Sequence, residues 1–183
     1  MIVAHRQARA RARCVLPGDQ AARLAQRADL HKTIWRIAND LRGSVDGWDF
    51  KQYVLGFLFY RYISENLTAY LNEHEHAAGH TEFDYAQVPD KDVSDPDLIR
   101  GIVAEKGFFI FPSELFANVR ARAPRDQNLN ETLERVFRNI EGSAMGTEAE
   151  GDIKGLFDDI DVNSGKLGPT VAKRNEKLVK LLD

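Results

Sequence analysis

Between Tyr53 and Ile63 the chain reads YVLGFLFYRYI, apolar at almost every position and studded with aromatics. Its β-branched and aromatic content would suit a strand, but the stretch around it, about Trp48 to His74, is long enough to argue for a helix. A helix that is apolar on nearly every side belongs in the middle of a bundle rather than on its surface. The predicted fold is therefore mainly α, a helical bundle built around this rod. The apolar run falls far short of the roughly 20 residues needed to span a bilayer, so no membrane is expected as a partner.

The flanking sequence supplies the rest of the bundle. Asp29 caps a predicted helix whose Leu30, Ile34, Ile37, Ala38 and Leu41 share one face; Gly43 ends it, and Ser44-Val45-Asp46-Gly47 is turn chemistry. After a polar stretch from Glu75 to Asp95, Asp95-Pro96 reads as a cap with proline in the first turn. Leu98, Ile99, Ile102 and Val103 make the buried face of that helix, and Gly107 closes it. Phe108 to Phe111, between Gly107 and Pro112, reads as a short strand, with Phe83-Asp84-Tyr85 its partner in a small two-stranded β ribbon. Pro112-Ser113 opens a further helix through Leu115, Phe116 and Val119. Asn128 with Glu131 has capping-box spacing, and Leu129, Leu133, Val136, Phe137 and Ile140 follow up to Gly142. A short helix holds Ile153, Leu156 and Phe157. The last helix, Pro169 to Asp183, carries Val171, Leu178, Val179 and Leu182 and meets no stop signal, as expected where a longer polypeptide continues.

Charge is distributed unevenly over the 183 residues, whose formal net charge is −3. Residues 1–28 hold six arginines against Asp19, a charge of +5, which leaves −8 for residues 29–183. The first segment reads as an Arg-rich extension, flexible or weakly helical, with a DNA-binding arm as the other reading; residues 29–183 form the domain. An acidic body is a poor stand-alone DNA binder, because duplex affinity comes mainly from cationic side chains that release counterions. Cys14 is the single cysteine, which excludes an intramolecular disulfide and a cysteine-based zinc site and makes a reducing cytoplasm the expected location. No apolar segment of a signal peptide follows the basic start.

Several local patterns invite chemistry. Asp159 to Gly165 has the opening spacing of a calcium loop, but its glycine is one place late and Thr170 stands where a bidentate acid is needed, so a hydrogen-bonded turn is the better account. His74, His76 and His80 read as a solvated cluster near a helix end rather than a metal site. Arg61 is expected either to pair with Glu65 four residues on, or to join Arg42 and Lys51 as a DNA- or partner-contact candidate. Tyr53, Phe57, Phe59, Tyr60 and Tyr62 fit a core better than a base-stacking platform. No Gly-x-Gly-x-x-Gly turn, Walker loop or Gly-x-Ser-x-Gly elbow occurs. Neither does any Pro-Pro pair, which an adenine amino-methyltransferase needs to hold a flipped base.

Ile34 to Leu67 resembles the N-terminal domain of the modification (methyltransferase) subunit of type I restriction–modification systems, the HsdM-type proteins. The likeness rests on Trp35, Asp40-Leu41-Arg42-Gly43, Tyr53 to Phe59 and Tyr62-Ile63-Ser64-Glu65. It continues through Phe83-Asp84-Tyr85, Lys106 to Ile110, Pro112 to Phe116, Asn128 to Leu133 and Leu156 to Gly168. The resemblance implies a noncatalytic helical domain that supports subunit assembly and DNA clamping. N6-adenine methylation with S-adenosylmethionine would belong to a catalytic domain outside these residues, so no catalytic, cofactor or metal residue is expected in this chain. The implied partners are a specificity subunit, a second modification subunit, a restriction subunit and double-stranded DNA. The alternative is a free-standing helical interaction module or truncated remnant with no enzymatic role.

Overall fold

The computed structural model of the protein describes residues 47–183, with side chains from Lys51 onward. The predicted helix from Asp29, the Gly43 turn, Arg42 and the Arg-rich extension lie outside the described residues. The described helices are α1 (Gly47–Ala77), α2 (Pro96–Lys106), α3 (Phe116–Arg122), α4 (Leu129–Ser143), α5 (Glu150–Ile153) and α6 (Val171–Leu182). Single 3-10 turns occupy Tyr85–Gln87, Asp90–Val93, Pro112–Glu114 and Ala123–Arg125.

At 31 residues, α1 runs about 46 Å at 1.5 Å per residue and is the element on which the others assemble. Tyr53, Phe57, Tyr60, Ile63, Ser64 and Leu67 recur at three- and four-residue steps and are all buried. Phe57 and Tyr60 meet Phe137 of α4 edge to face, with ring centroids 5.9 and 5.5 Å apart, and Phe137 stacks on Phe157 at 4.3 Å. Such offset and perpendicular geometries suit the ring quadrupoles and add to the gain from burial. The opposite side of α1 differs from the expectation of an all-round buried rod. Leu55 and Tyr62 are 66% and 64% exposed, because the described neighbours of α1 pack on one side of it.

Polar groups tie the aromatic centre to the backbone. The Tyr60 hydroxyl donates to the Glu114 carbonyl at 2.5 Å, and the Tyr53 hydroxyl donates to the Asp161 carbonyl at 2.6 Å. Burial pushes the Tyr60 phenol well above its usual range, so it remains a donor. Ser64 of α1 accepts from the Phe116 N–H at 3.2 Å. It thereby satisfies one of the orphan donors of α3, whose own N-cap, Leu115, has no side chain able to do so. At Gly56, a Cβ would lie 1.8 Å from Cδ1 of buried Ile160; glycine lets the 157–162 turn approach α1 this closely.

The β ribbon is not formed, and no strand occurs among the described residues. Tyr85 lies in a 3-10 turn whose preceding residue, Asp84, caps it by accepting from Ala86 N. Phe108 to Phe111 pairs with no strand, and two of its backbone groups are taken by side chains instead. Phe109 N–H donates to Ser143 Oγ at 2.9 Å, and Ile110 O accepts from the Tyr85 hydroxyl at 2.8 Å. On the opposite segment, Tyr85 N–H donates to Asn72 Oδ1 at 2.8 Å and Ala86 O accepts from Asn118 Nδ2 at 2.8 Å. Groups bonded in this way are not open to a ladder.

Three smaller expectations are also revised. Leu98 is 43% exposed, so Ile102 and Val103 carry the buried face of α2. Asn128 does not cap α4 through its side chain; Asn175 accepts the first-turn N–H of Asn130 at 3.1 Å instead, while Asp126 accepts from Asn128 N at 2.9 Å and from Thr132 Oγ1 at 2.8 Å. Leu156 and Phe157 follow α5 in turns rather than extending it. Asp95 caps α2 as expected, accepting from Asp97 N and Leu98 N, and Gly107 ends it at φ 84°, a conformation that glycine adopts without steric penalty.

Candidate interaction surface

Several charged and polar groups predicted from sequence sit apart from one another. Lys51 and Arg61 are both exposed on α1. Ten residues separate them, which places them about 15 Å apart along the axis. Arg61 pairs with Glu65, Nε to Oε1 at 2.7 Å, and its guanidinium stands 5.8 Å from the centre of the Phe116 ring. The three histidines face different partners: His74 Nδ1 lies 2.9 Å from Tyr70 O, His76 Nε2 lies 2.7 Å from Phe83 O, and His80 Nδ1 lies 2.6 Å from Glu75 Oε2. Among the described residues no group of three or more His, Cys, Asp and Glu is placed to hold a metal ion. The calcium-like loop is a hydrogen-bonded turn. Asp161 Oδ1 accepts from Asn163 N at 2.9 Å, while Asn163 Oδ1 accepts from Asn130 Nδ2 at 2.6 Å.

Glu114 is the one acidic side chain buried among the described residues, and the sequence does not single it out beyond its place in the Pro112 to Phe116 block. Its Oε1 accepts from Asn139 Nδ2 at 2.7 Å and lies 3.8 Å from Arg135 Nε, while Oε2 has no hydrogen-bond partner. Burial pushes its carboxyl pKa up. The Asn139 bond, Arg135 and Arg122 oppose that rise, and Asp90 reinforces it. A carboxyl whose folded pKa is raised contributes its stability at low pH and loses it as pH climbs through that folded value. Glu114→Gln should therefore gain stability relative to the natural chain as pH rises from acid to neutral, read as the difference in urea midpoint at each pH. A difference moving the other way would mean that the Arg135 and Asn139 contacts outweigh burial.

Two open grooves of opposite character flank the 158–169 segment. One, of about 370 Å³, is lined by Glu134, Arg138, Glu141, Asp158 and Asp161, with Phe137 and Phe157 at its floor. The other, of about 330 Å³, lies between the Gly165 to Pro169 loop and the first turns of α6, and presents Lys166, Lys173 and Lys177. At Gly168 a Cβ would meet Lys173 Cβ at 2.7 Å and its carbonyl carbon at 2.9 Å, so glycine is what allows the loop to lie against the helix. The signal for this second groove in the sequence is the spacing of Lys173, Lys177 and Lys180 along one helix, a pattern overlooked in favour of the arginines and lysine of the earlier helices.

Among the described residues the molecule is a helical scaffold with charged grooves on its surface. Comparison with known proteins gives it a family. The chain belongs to the HsdM N-terminal domain family, whose model matches residues 30–183. It is 44% identical over 165 residues to the type I restriction enzyme MpnII methylase subunit of Mycoplasma pneumoniae, a match covering 87% of this chain and 30% of that protein. It also resembles the crystal structure of the type I restriction–modification system methyltransferase subunit from Streptococcus thermophilus. That likeness has a TM-score of 0.68 and 29% identity, over 85% of this chain and 33% of the other. The chain thus spans about a third of the length of these relatives. Among the described residues no helix is long and apolar enough to cross a membrane.

Proposed function

We propose that this domain serves a type I modification subunit as a noncatalytic docking and DNA-clamping part, working in the cytoplasm. The observation that carries the reading is the ordered family match from residue 30 to residue 183, over a chain without the Pro-Pro segment that adenine methylation requires. S-adenosylmethionine would be bound, and adenine methylated at N6, by the remaining two thirds of a protein like these relatives. The partners would be a specificity subunit that reads the target, a second modification subunit, a restriction subunit and double-stranded DNA. Solvent-facing Lys51 and Arg61, together with Arg42, remain candidates for contacts with DNA or a partner subunit. Residues 1–28 add a separate cationic segment.

A methyl-transfer assay on the 183-residue chain alone should show no turnover, and S-adenosylmethionine should leave its melting temperature unchanged. Micromolar affinity for that cofactor would overturn the assignment.

A further inference from the structure

The lysine groove beside α6 concentrates positive charge on an otherwise acidic domain. Residues 165–183 hold four lysines and Arg174 against Glu176 and Asp183, a formal charge of +3, whereas residues 29–164 sum to −11. Lys166 reaches the groove from the loop, and Lys173 and Lys177 reach it from the helix. Lys173 also meets Glu176 at 2.8 Å, a solvent-exposed pair of the kind that contributes little and is readily exchanged. Lys173 and Lys177 are one helical turn apart, about 6 Å along the axis, and Lys180 extends the same stripe by about 4.5 Å. The start of α6 points its positive dipole end toward the same loop, and Gly168 keeps the loop low against the helix.

We propose that Lys166, Lys173 and Lys177 form a phosphate-binding groove that holds the backbone of double-stranded DNA without reading its bases. This rests on the reading that the domain works beside DNA, and it names a surface for that role. Ammonium groups repeated along a helix suit a ligand whose charge also repeats, and they carry no sequence information of their own. An acidic protein would favour a groove with aromatic or guanidinium anchors; here the polar lining is lysine, set against a Gly-Pro loop.

The test is fluorescence anisotropy of a labelled duplex of arbitrary sequence, titrated with the full 183-residue chain over a salt series. The triple variant K166Q/K173Q/K177Q should bind at least about tenfold more weakly near 50 mM salt, and its plot of log affinity against log salt should flatten by roughly 2.7, or about 0.9 for each phosphate that is no longer neutralised. The charge-preserving variant K166R/K173R/K177R should bind as the natural chain does. Because all three side chains are at the surface, an unchanged far-UV circular dichroism melt confirms that each variant is folded. If the natural chain binds duplex and the glutamine variant matches it in affinity and slope, the groove is refuted while the DNA-side reading stands. If the natural chain binds no duplex, both fail. Tighter binding of polyglutamate than of duplex at equal salt would refute the groove in favour of an acidic protein partner.

Discussion

Phe137→Ala should lower the folding free energy by about 3–5 kcal/mol, the range for emptying an aromatic-sized space in a packed core. Phe137 is 5% exposed and is the common neighbour of Phe57, Tyr60 and Phe157. It therefore joins three separate parts of the chain: the long helix α1, its own helix α4, and the turn that carries the 158–162 loop. The backbone there has little room to collapse into the void, because Tyr60 is fixed through its hydroxyl to Glu114 and Tyr53 to Asp161. Urea denaturation followed by circular dichroism would measure the loss as a lower midpoint. A loss below about 1 kcal/mol would mean that the aromatic stack is peripheral to the fold.

Asn175→Ala should cost about 1–3 kcal/mol, although it removes only a small polar side chain. Asn175 is 7% exposed on α6 and serves both ends of a junction. Its Oδ1 accepts from Asn130 N at 3.1 Å, and its Nδ2 donates to Gln127 O at 2.6 Å. Asn130 is in the first turn of α4, where backbone N–H groups have no partner within the helix. Alanine would leave the Asn130 donor buried without a hydrogen bond, which is the costly outcome, while exposed Gln127 would turn its carbonyl to water. It would also loosen the packing of α6 against α4, and with it the placement of the lysine groove. The same denaturation experiment measures the effect; a change within about 0.5 kcal/mol would show that water replaces the amide there.

The helical character of the domain was legible because it rests on period. The three- and four-residue recurrence from Tyr53 to Leu67, and from Leu129 to Ile140, survives any uncertainty about partners. Caps with a local mechanism were legible too, as at Asp95 and Gly107. The ribbon was not, because Phe108 to Phe111 has strand composition but exchanges its ladder for bonds from Ser143 and Tyr85, residues 34 and 25 positions from their partners. No local pattern announces such remote donors and acceptors. The exposed side of α1 was misread for a related reason. Leu55 and Tyr62 look identical in sequence to their buried neighbours, and only the arrangement of the other helices separates them. Among candidate contacts, Arg61 showed its partner at i+4, whereas Glu114 gave no sign of burial and the lysine groove depends on a loop folding back at Gly168.

The most direct test of the domain's role replaces the matching segment of the Mycoplasma pneumoniae methylase subunit with residues 30–183 of this chain. A parallel variant deletes the segment, and both are assayed for methylation of plasmid DNA in the presence of a specificity subunit. A docking and clamping role predicts that the chimera methylates and the deletion does not, although the catalytic portion is intact in each. A deletion variant that methylates as fast as its parent would contradict it.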